Sequence, residues 1–162
     1  MSGEKQRLLA VVRVRGKVHL RADIQETLRH LKLNKVNHAS LFCLKEGGKA
    51  MLAKVNDYCT WGEISGETLK KLLSERGMVE GDRKLTDEYL KHNTRFESIQ
   101  DLAGQLITCK TSITKVEGLK PVFRLNPPVK GHARGGIKKN VKTGGALGYR
   151  GEEINKLLEA MI

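Results

Sequence analysis

The chain has 162 residues, 39% hydrophobic and 30% charged, with 30 Lys and Arg against 18 Asp and Glu, a formal net charge of +12 and a pI near 9.8. That length suits one globular domain, or one small domain with additions, and a charge imbalance of this size is an argument about partners and solubility, not about fold. No window approaches the ~18 apolar residues of a membrane span, the start MSGEKQRLLAVVRVRG has no apolar run of signal-peptide length, and the three cysteines form no CxxC pair of the kind structural zinc needs.

Taken in chain order, Leu8 to Val14 (LLAVVRV) is apolar and β-branched, then alternates through Val12, Arg13, Val14 and Arg15, and reads as a strand ending in a basic turn at Gly16 and Lys17. In ADIQETLRHLKL the apolar positions Ile24, Leu28 and Leu31 fall on one face of a helix. HASLFCL (38–44) returns as a second strand, Lys45–Gly48 is a loop, Ala50, Met51, Leu52 and Val55 mark a short helix, and Tyr58 to Ile64 is a third strand. Residues 1–64 are therefore expected to form a β-α-β-α-β body, a small sheet with two helices on one face and the other face solvated or used. From Ser65 the pattern becomes helical, with Ser65, Thr86 and Ser98 as caps and Gly77 as a stop, giving a three-helix insert over 65–117 packed on the body.

Residues 118–162 are of another kind. Between Gly118 and Gly151 there is no Asp or Glu, while eight basic residues, all three prolines and eight of the 17 glycines occur. Such a stretch is poor in the apolar surface that offsets ordering entropy, about 1–2 kcal/mol per residue for the backbone, so its order is expected to come from an outside polyanion. Glu152 to Ile162 then forms an amphipathic helix with Ile154, Leu157, Leu158 and Met161 inward, which pins the far end of the basic segment. Residues 1–64 hold 12 basic and 6 acidic side chains, 65–117 hold 9 and 9, and 118–162 hold 9 and 3. Two basic regions flanking a neutral one suit an RNA-facing body and extension joined by an insert; a uniformly basic composition would not leave the middle neutral.

The candidate RNA-binding residues follow from this distribution. Lys120, Arg124, Lys130, Arg134, Lys138, Lys139, Lys142 and Arg150 supply cations for phosphates, and His132 and Tyr149 offer rings for unpaired bases. A second cluster is Arg13, Arg15, Lys17, His19 and Arg21, in which strand geometry sets the Arg13 and Arg15 guanidiniums side by side on one face. The bland readings are a solvated linker for the first group and an exposed polar face for the second. Gly47-Gly48-Lys49 before a helix offers backbone amides and one cation to a phosphate, but GxxxxGK[ST] does not occur. The five histidines sit far apart without HExxH or GxSxG, and His38 and Cys43, five apart on one strand, point to opposite faces. No catalytic residue, metal site or cofactor is expected, and an enzyme acting on phosphorylated substrates finds no acid/base pair here.

The segments LLAVVRVRGKVHLRADIQETLRHLKLNKVNHASLF and AMLAKVNDYCTWGEI, the insert stretches LSERG, LTDEYL and SIQDLAGQL, and the ending FRLNPPVKG…GGALGYRGEEINKLLEAMI resemble the large-ribosomal-subunit protein thirty family in its long archaeal and eukaryotic form. The resemblance covers essentially the whole chain. It implies an α+β, ferredoxin-like body with the helical insert and a basic C-terminal extension ending in a helix. It also implies a structural, non-enzymatic role in the cytoplasmic ribosome, with large-subunit ribosomal RNA, 5S RNA and neighbouring ribosomal proteins as partners and no small-molecule substrate. The long basic N-terminal arm of eukaryotic members is missing from this sequence, which points to an archaeal source. A free RNA chaperone is the competing reading.

Overall fold

The structure, a computed structural model, describes residues 6–45 and 47–162. Residues 1–5 of the expected body, and Glu46 in the loop expected at 45–48, lie outside that range.

The run LLAVVR forms β1 (Leu8–Arg13), and all six of its residues are buried. A strand with only one covered face alternates buried and exposed; this one does not, because both faces are covered. Leu9 and Val11 join a core completed by Leu28, Leu31 and Leu33 and by Leu52 and Val55. These come from α1 (Ala22–His30), α2 (Gly48–Lys54) and the turns that follow them. Leu8, Ala10 and Val12 face the opposite way into a larger core. That second core is built from α3 (Gly66–Arg76), α4 (Asp87–Asn93), α5 (Ile99–Ile107) and α6 (Ile154–Met161). The sheet is thus a middle layer, and the face expected to be solvated or used serves as a second packing surface.

β1 sits at the centre of the sheet, antiparallel both to β2 (His38–Cys43) and to β3 (Cys59–Glu63). A two-residue hairpin, β4 (Met78–Val79) with β5 (Arg83–Lys84), lies within the insert beside its helices. The basic segment supplies both edge strands of the main sheet. β6 (Val122–Arg124) runs antiparallel to β2, and β7 (Gly148–Tyr149) runs parallel to β3, giving the order β6-β2-β1-β3-β7.

The three helix caps read from the sequence are present. Ser65, Thr86 and Ser98 accept hydrogen bonds from the backbone amides of Thr68, Tyr89 and Asp101. Gly77 ends α3 for a different reason from the left-handed turn that usually calls for glycine. Its φ is −64°, but a Cβ there would run into the Leu73 carbonyl and lie 3.1 Å from Leu85 Cβ.

The basic segment is organised by the fold itself, against the expectation that an outside polyanion must order it. Phe123 is fully buried, and Leu119, Leu125, Ala146 and Leu147 are buried with it. The amides of Lys120 and Leu125 donate to the carbonyls of Met78 and Asn37, and those of Asn126 and Val129 donate to the last turn of α6. A few apolar side chains and two short strands suffice, because the open edges of β2 and β3 supply partners that composition does not reveal.

Candidate nucleic-acid interface

The sheet register brings one set of connections to one end. Arg13 at the end of β1 pairs with Cys59 at the start of β3, His38 at the start of β2 pairs with Arg124, and Thr60 pairs with Gly148. The turn 14–21, the α1–β2 connection 31–37 and the long loop 125–147 therefore have ends at the same edge of the molecule. They are also joined there: Val14 packs against Ala146 and Leu147, the Asn37 amide donates to the Arg13 carbonyl, and the Leu125 amide to the Asn37 carbonyl. Two basic segments more than a hundred residues apart in sequence thus meet at one surface.

The long loop holds its shape through its own backbone. A 3₁₀ turn at Val141–Thr143 is capped by Asn140, whose side chain accepts from the Lys142 amide. The Lys139 carbonyl accepts from Ala146 and Leu147, and the Gly144 carbonyl from Gly135. At the loop's exit Gly148 has φ +90°, and a Cβ there would lie 2.7 Å from Asn140 Nδ2 and 3.1 Å from Asn56 Oδ1. Only glycine meets both the backbone conformation and the crowding at that point.

The candidate residues separate into groups. Lys17 and His19 on the turn, and Lys130, Arg134, Lys138, Lys139 and Lys142 on the loop, are exposed, and the five lysines and Arg134 make no ion pair among the described residues. Arg15 and Arg21 belong to the same end but are partly engaged. Arg15 donates to the Asp57 carbonyl and stacks 5.2 Å from the Tyr58 ring centroid, while Arg21 pairs with Asp23 at 3.2 Å.

Arg13 does not fit the role expected of it. It is 2% exposed, its Nε donates to the Arg15 carbonyl at 2.9 Å and its Nη1 to the Leu33 carbonyl at 2.8 Å. Burial pushes its pKa down from the usual value, and Nη2 is buried without a partner. The expected side-by-side display with Arg15 fails because β1 ends at Arg13, inside the sheet, and the guanidinium turns inward to tie the β1–α1 turn to the α1–β2 loop. Arg150 is likewise a structural cation: it donates to Thr60 Oγ1 at 2.9 Å and to the Ala146 carbonyl, and burial lowers its pKa.

Lys120 and Arg124 share Asp82, at 2.6 and 3.6 Å, and the Lys120 hydrogen bond holds the Asp82 carboxyl below its ordinary value. His132 is half-buried in a crevice with Pro128, Arg150 and Leu157, and burial and then the Arg150 charge keep its pKa low. Tyr149 and Lys49 lie elsewhere. They line a cleft of about 450 Å³ with Arg7, Trp61 and Glu63, where the Tyr149 hydroxyl donates to the Glu63 carboxylate at 2.8 Å and its pKa rises in consequence.

Lys35 escaped the sequence reading. It is exposed in the α1–β2 loop, its carbonyl accepts from His38, and its charge helps to depress the His38 pKa after burial and Arg124. Val18, Val129 and Ile137, 81%, 71% and 40% exposed, lie on the two basic segments as well. Their signal was present as apolar residues where no helix or strand periodicity explains them.

A family model described as ribosomal protein L30p/L7e matches residues 9–59, from β1 to the first residue of β3. The chain is 46% identical over 155 residues to large ribosomal subunit protein uL30 of Methanosphaera stadtmanae, a match covering 96% of this chain and 100% of the relative. The chain belongs to the uL30 family. The uL30 protein of Nanoarchaeum equitans is 46% identical over 93% of this chain and 96% of its own, and that of Thermoplasma volcanium 45% identical over 96% and 93%. All these uL30 relatives are archaeal ribosomal proteins, not enzymes, and the similarity to them extends well past the family model into the insert and the basic extension. Among the described residues no group of three His, Cys, Asp or Glu side chains is arranged to hold a metal ion, and no helix is long and apolar enough to cross a membrane.

Proposed function

We propose that the protein is a structural component of the large subunit of the cytoplasmic ribosome, held on large-subunit ribosomal RNA by the basic end of its sheet. The observation that carries this reading is the meeting of two carboxylate-free basic segments at Val14, Ala146 and Leu147. Lys17, Lys35, Lys130, Arg134, Lys138, Lys139 and Lys142 lie exposed on the connections that meet there, without ion-pair partners among the described residues. Cations arranged in this way release counterions from a phosphate backbone and position the protein without reading base edges. Val18, Val129 and Ile137 add apolar contact to riboses beside the phosphates. A prefolded loop anchored at both ends loses less entropy on docking than a free tail.

The three parts have separate tasks in this reading. Residues 1–64 form the RNA-binding body, 65–117 the insert packed on it, and 118–162 the extension that doubles the basic surface. 5S RNA is the second RNA partner, a role supported by the sequence resemblance. The test is Lys138→Glu with Lys139→Glu. Association with large-subunit RNA should weaken and its salt dependence flatten, and co-sedimentation with the large subunit should fail at moderate salt. Unchanged affinity and slope would remove the loop from the interface, and sedimentation with free RNA alone would favour a chaperone.

A further inference from the structure

The neutral charge balance of the insert conceals a second basic surface. Along the outer edge of β2 runs a groove of about 630 Å³, lined among others by His30, Lys32, Lys45, Lys110, Lys115 and Ser112. None of its described lining residues is Asp or Glu. All four lysines are exposed, and none makes an ion pair among the described residues.

The backbone delivers two of them by the same device. After α1, the Lys32 amide donates to Arg29 and the Leu33 amide to Leu28, with Lys32 left-handed at φ 61°. After α5, the Cys109 amide donates to Leu106 and the Lys110 amide to Gln105, with Cys109 left-handed at φ 53°. Both are Schellman closures in which the position that favours glycine holds another residue. A lysine beyond a helix C-terminus also complements the helix dipole, and that alone accounts for Lys32 and Lys110. It does not account for Lys45, which follows a strand, or for Lys115, which closes a three-residue 3₁₀ turn (Ile113–Lys115). Nor does it explain why all four line the same groove.

The floor of the groove sets apolar side chains, Leu41, Phe42, Met51 and Ile113 among them, beside an open strand edge, with the lysines around them. β6 pairs with β2 only over His38–Ser40, so among the described residues the Leu41–Cys43 edge has no partner strand on that side. Ser112 and Thr114 hydroxyls, 2.8 Å apart, lie beside it as neutral donors. His38 at the basic sheet end and Cys43 in the groove are five residues apart, about 16 Å along a strand. A phosphate held at His38 is out of reach of the Cys43 and Lys45 end of the groove, and Lys32 and Ser40 line the stretch between.

We propose that this groove is a second RNA-backbone site, seating consecutive phosphodiesters on Lys32, Lys45, Lys110 and Lys115, so that the protein bridges two RNA segments. The inference rests on the RNA-binding reading of the sheet end and adds a separate surface to it. The test uses the full-length protein and transcribed large-subunit RNA. Lys45→Glu with Lys115→Glu should lower the slope of log affinity against log salt by about 2, as should Lys138→Glu with Lys139→Glu, and the combined variant by about 4, roughly one for each lost phosphate contact. In the wild-type protein, RNA should shield Lys45 and Lys115 from acetylation, a readout independent of how the variants fold. If the Lys138/Lys139 variant loses slope while the Lys45/Lys115 variant keeps it and RNA leaves Lys45 and Lys115 reactive, the groove is not an RNA site although the function stands. If neither variant loses slope, the RNA-binding reading itself fails. Shielding of Lys45 and Lys115 only in the complete subunit, never by RNA alone, assigns the groove to an acidic protein segment and overturns the proposal.

Discussion

Arg13 offers a sharp test because its sequence role and its structural role predict opposite results. Its two hydrogen bonds reach carbonyls on either side, Arg15 at 2.9 Å and Leu33 at 2.8 Å, inside a site that is 2% exposed. Hydrogen bonds from a charged donor are worth about 1.5–3 kcal/mol each. Against them stands the desolvation of a guanidinium whose Nη2 finds no partner, a penalty of several kcal/mol that disappears when the charge is removed. Arg13→Met keeps most of the packing of the stem, leaves two carbonyls dry, and should therefore cost about 2–3 kcal/mol net. For a chain of this size each kcal/mol shifts the Tm by about 2–4 °C, so a fall of about 5–10 °C is expected. Arg13→Ala also opens a cavity and should cost about 2 kcal/mol more. Thermal melting followed by circular dichroism reads the loss, and the salt slope for RNA binding, measured well below the Tm, should not move. A Tm within 1 °C of wild type, together with a slope lowered by about 1, would show that Arg13 is an exposed phosphate ligand and refute the reasoning.

Two further outcomes follow from other parts of the molecule. Gly148→Ala sets a Cβ against Asn140 and Asn56 at φ +90°, and should cost about 2–3 kcal/mol from strain and crowding, seen as a lower Tm and faster proteolysis within 125–147. His38 and His132 are both held below the ordinary histidine value, chiefly by burial, so the unfolded chain binds more protons than the folded one. Their contribution to stability is fully present above the unfolded value of about 6.5 and is lost as the pH falls through their lowered folded values, so the Tm should drop between pH 7.5 and 5 and drop less in His38→Gln with His132→Gln. An identical pH profile in that double variant would exclude both groups as the cause.

The body and the caps were legible because they are written in local signals. The periods of LLAVVR, ADIQETLRHLKL and HASLFC, and Ser or Thr before a helix, act over a few residues. The two edge strands were not legible. VFR and GY are too short to carry a period, and they become strands only because β2 and β3 present open edges to them. The same non-local cause misled the reading of the interface. Alternation from Val12 to Arg15 is sound strand logic, yet it could not reveal that β1 stops at Arg13 and that the next residues turn over Tyr58. Lys120 and Arg124 were counted as free cations because Asp82, thirty-eight residues before Lys120, is invisible as a partner until the chain folds. Loop lysines such as Lys138 and Lys142 needed no such knowledge, since a stretch without carboxylates has no local partner to offer them.

The most direct test of the central claim, one RNA-binding surface made from two distant segments, is the salt dependence of binding to large-subunit RNA in three variants. Lys17→Gln with Lys35→Gln removes cations from the turn and the α1–β2 loop, Lys138→Gln with Lys139→Gln removes them from the extension, and the third variant combines all four. Each pair should lower the slope of log affinity against log salt by about 2 and the combination by about 4, with the Tm unchanged. A slope that responds to the extension alone, with Lys17 and Lys35 silent, would contradict a shared surface and leave the convergence at Val14, Ala146 and Leu147 a matter of folding only.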